Sequence, residues 1–148
     1  MDRRFGLGRA LRGIDGLPDD VAAGEVKRLA ADLLDLYHGP FCDGDEDGWL
    51  LPARERWRNR FLAATARLGQ LLESAAEWPT AHRLYSRALE AEPLAEAIYR
   101  SLMRCEHAQG DPSAAISAYR RCREMLTLIL GRQPSPETEK LAVSLGLK

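Results

Sequence analysis

Two stretches of the chain decide its fold: WPTAHRLYSRALEAEP at residues 78–93 and PSAAISAYRRCREMLT at residues 112–127, which stand 34 residues apart. In that register Ala81 falls on Ala115, Tyr85 on Tyr119, and Ala88 on Cys122. Working outward, Leu68 falls on Leu102, Leu94 on Leu128, and the break at Ala76-Glu77 on Gly110-Asp111. Thirty-four residues is the period of the tetratricopeptide helix pair. The pattern asks for a small residue early in the second helix, an aromatic four later, a small residue three further and a proline five beyond that. Ala81, Tyr85, Ala88 and Pro93 meet it, and Gly69 supplies the small residue of the first helix. The second unit has Ala115, Tyr119 and Cys122, but Thr127 replaces the proline, so its helix is free to run on. Small residues let paired helices approach, and the aromatic fills the gap to the next pair. One pair cannot bury its apolar face alone, so pairs stack. The repeats are residues 62–95 and 96–129. On spacing alone, the competing reading is an ordinary helical bundle with alanine-rich seams.

The rest of the chain is also read as helix, with no strand alternation. A short helix runs from Arg3 to about Leu11. A second runs from Val21 to Tyr37 behind Asp19 or Asp20 as N-cap, with Val26, Leu29, Ala30, Leu33, Leu36 and Tyr37 as its apolar row. The third opens at Pro52 and carries the stripe Trp57, Phe61, Ala64, Leu68, Leu71, Leu72 and Ala75. The fourth spans Trp78 to about Ala91, and the fifth Leu94 to Gln109. The sixth follows an Asp111 cap and Pro112 and runs to about Leu130, with Ala115, Tyr119, Cys122, Leu126 and Ile129 on one face. Gly131 ends it, and Ser135-Pro136-Glu137 starts a seventh. The expected fold is therefore all-α, a tetratricopeptide-like repeat of about seven antiparallel helices. Residues 1–20 read as an N-terminal remnant or short helix, and 21–148 as the repeat domain.

The chain has 148 residues, a net charge of −1, 45% hydrophobic and 29% charged residues, which describes a folded globular domain. A domain that holds DNA by neutralising phosphates carries excess basic charge. This one does not, so any DNA contact is expected through a separate domain outside this chain. Three widely spaced cysteines, Cys42, Cys105 and Cys122, form no disulfide framework and suit a reducing cytoplasm. No apolar run approaches a membrane span, and the N-terminus has no secretory pattern.

Longer strings sharpen the reading. LYHGPF at 36–41, WLLPARERWR at 49–58, RALEAEPLAEAIYRSLMRC at 87–105, AYRRCREML at 118–126 and LGRQPSPETEKL at 130–141 occur in one order. Together they resemble the bacterial transcriptional activator domain over about residues 20–145. The resemblance implies a tetratricopeptide-like fold, a cytoplasmic transcription regulator and no enzymatic activity. It further implies self-association or contact with transcription machinery beside a winged-helix domain that these residues do not contain. The chain then reads as a fragment of a larger regulator. The competing functional reading is a general tetratricopeptide peptide-binding scaffold outside transcription.

No constellation for catalysis or a cofactor is present: no P-loop, no GxSxG and no HExxH. Asp43, Asp45, Asp47 and Gly48 follow the first half of an EF-hand loop. Arg54 stands where the bidentate glutamate belongs, so a solvated acidic loop is the expectation and no metal site is assigned. His38, His82 and His107 are isolated, Cys105 and Cys122 read as small core residues, and Cys42 is the loop cysteine. Trp57 and Trp78 fit packing positions, and Trp49 suits either packing or a partner. Arg54, Arg56, Arg58 and Arg60 read as a solvated face. In such a repeat the first helix of each pair lines the concave groove. That places Ala63, Ala66, Gln70 and Glu73 in the first unit and Ala97, Arg100, Arg104 and His107 in the second. Gln70, Glu73, Arg100, Arg104 and His107 are the candidate partner-binding residues. Arg100 and Arg104 suit an acidic partner segment or a solvated arginine pair.

Overall fold

A computed structural model describes residues 3–37 and 51–148, with side chains from Gly6 to Tyr37 and from Pro52 onward. Among the described residues it contains seven α-helices and no strand: α1 (Arg3–Asp15), α2 (Ala23–Leu36), α3 (Leu51–Ser74), α4 (Trp78–Ala91), α5 (Glu96–Ala108), α6 (Pro112–Met125) and α7 (Pro136–Ser144). The chain is an all-α helical repeat. It divides into two compact units, Met1–Glu77 and Trp78–Lys148.

In the first unit α1, α2 and α3 pack pairwise. α1 is longer than the sequence suggested and supplies Leu7, Leu11 and Ile14, all fully buried. α2 buries Val26, Leu29, Ala30 and Leu33 along its heptad-like row, and α3 buries Phe61, Ala64, Leu68, Leu71 and Leu72. The Tyr37 ring lies flat on Phe61, centroids 3.9 Å apart and planes at 11°, fixing the end of α2 on α3. Neither Asp19 nor Asp20 caps α2; Ala22 holds that position without a side-chain bond. Asp19 instead pairs with Arg67 at 2.7 Å, and Arg67 also donates to the Leu17 carbonyl at 3.1 Å, closing the α1–α2 loop onto α3. Ala75 is exposed, because α3 ends at Ser74 and the chain turns there.

In the second unit α5 packs against α4, α6 and α7. The repeat's signature residues Ala81, Tyr85, Ala88, Ala115, Tyr119 and Cys122 are all buried. Asp111 caps α6 by accepting from Ala114 N at 3.0 Å, with Pro112 in the first turn. Ser135 caps α7, followed by Pro136, with Glu137 and Glu139 at its positive end.

The end of α6 departs from the expected single helix. After Met125 the backbone widens into a π-helical turn, Leu126–Leu130, closed by left-handed Gly131. A π turn holds one more residue per hydrogen-bonded ring than an α turn. Side chains beyond Leu126 therefore lag behind the buried row. Leu126 is fully buried, but Ile129, expected on the same face, is 51% exposed.

The 34-residue repeat reappears in the backbone. Gly110 (φ 79°) ends α5, with Gly110 N bonded to His107 O at 3.0 Å and Asp111 N to Glu106 O at 3.0 Å. Thirty-four residues earlier Ala76 (φ 58°) ends α3, with Ala76 N on Glu73 O at 3.0 Å and Glu77 N on Leu72 O at 2.8 Å. Both are Schellman closures, but alanine pays for the left-handed conformation that glycine adopts freely. That strain is about 1–2 kcal/mol, offset by about 0.4–1 kcal/mol of glycine's unfolded-state entropy. Ala76→Gly is accordingly expected to stabilise the chain by about 0.5–1 kcal/mol. Gly110→Ala, where an added Cβ meets nothing within 4 Å, is expected to destabilise it by a similar amount. Thermal denaturation of the two variants checks both signs.

Candidate partner-binding surface

The positions that the repeat assigns to a groove lie on α3 and on α5, which belong to different units. On α3, Ala63 and Gln70 are exposed and Ala66 and Glu73 half-buried. On α5, Ala97, Arg104 and His107 are exposed. α5 presents this narrow row because its other faces are occupied: Ile98, Tyr99, Leu102, Met103 and Cys105 are buried among its neighbours.

Arg100 differs from the rest of the row. Its side chain is 18% exposed and works inside the fold. It donates to Thr138 Oγ1 at 2.9 Å and lies 3.7 Å from Glu96 and 3.5 Å from Glu137. Glu96 is the centre of this cluster. One carboxylate oxygen accepts from the Ser135 amide and hydroxyl, each at 2.7 Å, and from the Thr138 hydroxyl. Arg132 stands 3.7 Å from the other oxygen. The cluster thus ties the start of α5 to the first turn of α7. Burial alone would raise the Glu96 carboxyl, but the bonds from Thr138 and Ser135, with the Arg100 charge, hold it below its ordinary value.

A second tie lies further along α7. Tyr119 donates to the Glu139 carboxylate at 2.8 Å, and Lys148 pairs with the same group. The Lys148 hydrogen bond leads in holding Glu139 below its ordinary value, while burial and then Glu139 push the Tyr119 phenol up. Arg123 lies over the Tyr119 ring, 5.7 Å from its centroid.

Arg104 is oriented by Ser101, to whose hydroxyl it donates at 3.2 Å. His82 Nδ1 contacts Glu106, whose side chain is 7% exposed. Glu106 occupies, in the repeat register, the position that the first unit fills with fully buried Leu72. The sequence gives no sign of this contact, nor of the α5–α7 cluster, since Glu96 and Thr138 are 42 residues apart.

Cys105 and Cys122 are buried, and Cys122 is pushed up to about 12, first by burial and then by Glu96. Trp57 and Trp78 are half-buried rather than core. Arg56, Arg58 and Arg60 are exposed, with Arg60 5.4 Å from the centroid of the Trp57 ring. The acidic loop with Asp43, Asp45, Asp47 and Gly48, together with His38, Cys42 and Trp49, lies outside the described residues. Among the described residues no three His, Cys, Asp or Glu side chains converge on a point that suits a metal ion, and no helix is long and apolar enough to cross a membrane.

Because the folded Glu96 carboxyl titrates below its unfolded counterpart, its contribution is complete above about pH 4.3 and is lost as pH falls through the folded value. Glu96→Gln is expected to cost about 2 kcal/mol at neutral pH, the scale of hydrogen bonds to a charged group. It should also flatten the acid limb of the stability profile. Urea denaturation of both proteins between about pH 7 and pH 3 measures both effects.

The family model described as the bacterial transcriptional activator domain matches residues 9–145. No curated protein and no solved structure matches the chain.

Proposed function

The chain belongs to the bacterial transcriptional activator domain family, and from that premise we propose that it is the protein-interaction domain of a bacterial transcription regulator. It works by self-association or by contact with the transcription machinery, in the cytoplasm, with no catalytic step of its own. DNA is reached through a separate domain. The observation that carries this reading is the family match over nearly the whole chain. The exposed row of α5 supports it: a helix packed against three neighbours leaves Ala97, Arg104 and His107 facing solvent. Arg104 is the charged reader of that row, already oriented by Ser101. Gln70 and Glu73 hold the matching positions on α3. Arg100 serves chiefly to hold α7.

Sedimentation velocity of the full chain, with chemical cross-linking to purified bacterial RNA polymerase, tests this reading. The expected result is a concentration-dependent oligomer or a cross-link to polymerase. Either should weaken by about tenfold, roughly 1.4 kcal/mol, in Arg104→Glu. A chain that stays monomeric at every concentration and forms no cross-link contradicts it.

A further inference from the structure

The geometry points to a second, distinct docking surface at the end of α6, shaped for an acidic amphipathic helix of a protein partner. It rests on the interaction reading above and deepens it by naming a place and a chemistry. The π-helical turn leaves Leu128 81%, Ile129 51% and Leu130 49% exposed, three consecutive aliphatic side chains facing solvent. Isolated exposed leucines are ordinary, whereas three aliphatic side chains on a single helical turn, fanned to different sides of it, expose apolar surface that a partner can cover.

The repeat shows what is missing there. Leu128 is the counterpart of Leu94, which is half-buried just ahead of α5. After Leu94 the chain supplies α5, whereas after Leu130 Gly131 turns it away. In a stacked repeat an uncovered end is normally polar. Here the apolar residues stay exposed, because α7, the next helix of the chain, packs on α5 and leaves them uncovered.

The charge around the turn selects the occupant. Beside it runs an open groove of about 660 Å³, lined by Arg123, Glu124, Thr127, Leu128 and Gln133. Arg120 shares the face of Arg123, Glu124 and Thr127 by helical spacing and is exposed. Between residues 118 and 130 the charged residues are Arg120, Arg121, Arg123 and a single Glu124, net +2 in a chain of net −1, while Arg132 just beyond is engaged by Glu96. Two copies meeting here would set arginine against arginine, which disfavours a self-contact. Three aliphatic side chains on one turn give too little apolar area for insertion into a lipid surface. An acidic helix with leucine-like residues on one face satisfies both the apolar cluster and the basic rim.

Fluorescence anisotropy with synthetic peptides of about 18 residues, long enough to form helix on contact, tests the assignment on the full chain. The probe carries leucines at i, i+3, i+4 and i+7 with glutamates elsewhere. One control replaces glutamate by lysine, and the other replaces leucine by alanine. The probe is expected to bind and the controls not to. Leu128→Ser and Arg120→Glu should each weaken binding by about tenfold or more, with circular dichroism and melting unchanged. Absence of probe binding, or binding indifferent to both substitutions, overturns the assignment. Loss in Leu128→Ser of self-association, or of sedimentation with phosphatidylglycerol vesicles, also overturns it by giving the turn to a second copy or to a lipid surface. If both substitutions leave probe binding intact while the chain still self-associates or cross-links to polymerase, this location fails and the interaction reading stands.

Discussion

The second unit depends on the burial of α5 by three neighbours at once. Seven of its thirteen residues are buried, including polar Ser101 and the Glu106 carboxylate. A helix enclosed on that scale must find partners for its polar groups from other elements, because a buried unpaired carboxylate costs several kcal/mol. Glu106 finds His82 on α4, and Glu96, at the rim, finds Ser135, the cap of α7, and Thr138 in its first turn. The packing of α4, α6 and α7 and the pairing of these carboxylates are therefore one constraint. It also explains why α5 has only a thin solvent-facing row to offer a partner.

Much of this architecture was legible in the sequence, because its determinants are local. Gly110, Asp111-Pro112, Gly131 and Ser135-Pro136 mark helix ends through backbone preferences that act within a few residues. The 3–4 spacing of Phe61, Ala64, Leu68, Leu71 and Leu72 fixes the buried face of α3 in the same way. The 34-residue register carries this further: it equates Ala76 with Gly110, and both close their helices with the same pair of backbone bonds.

What was not legible is non-local or depends on a change of helical pitch. Asp19 looked like a cap for α2, but a charged partner 48 residues away competes for it. Arg100 looked like a groove residue by its place in the repeat. Its guanidinium instead joins Glu96, Glu137 and Thr138, an arrangement set by where α7 docks. Ile129 followed the buried row of α6 only so long as the helix stayed α. One π turn displaced it, and no residue there announces that turn. The exposure of Arg104 and His107 follows from the period alone, while the apolar end of α6 emerged only once the pitch change was known.

The central physical claim is that α5 is the enclosed hub of the second unit and α7 a helix fastened to it. Native-state hydrogen exchange of the full chain, read residue by residue, tests that most directly. The account predicts that amides of Ile98 to Glu106 are the slowest in the unit, exchanging only with its global opening, and that α7 amides follow closely. Exchange in α5 as fast as in the π-helical turn that follows α6, or an α7 that opens freely at neutral pH while α5 stays closed, contradicts it.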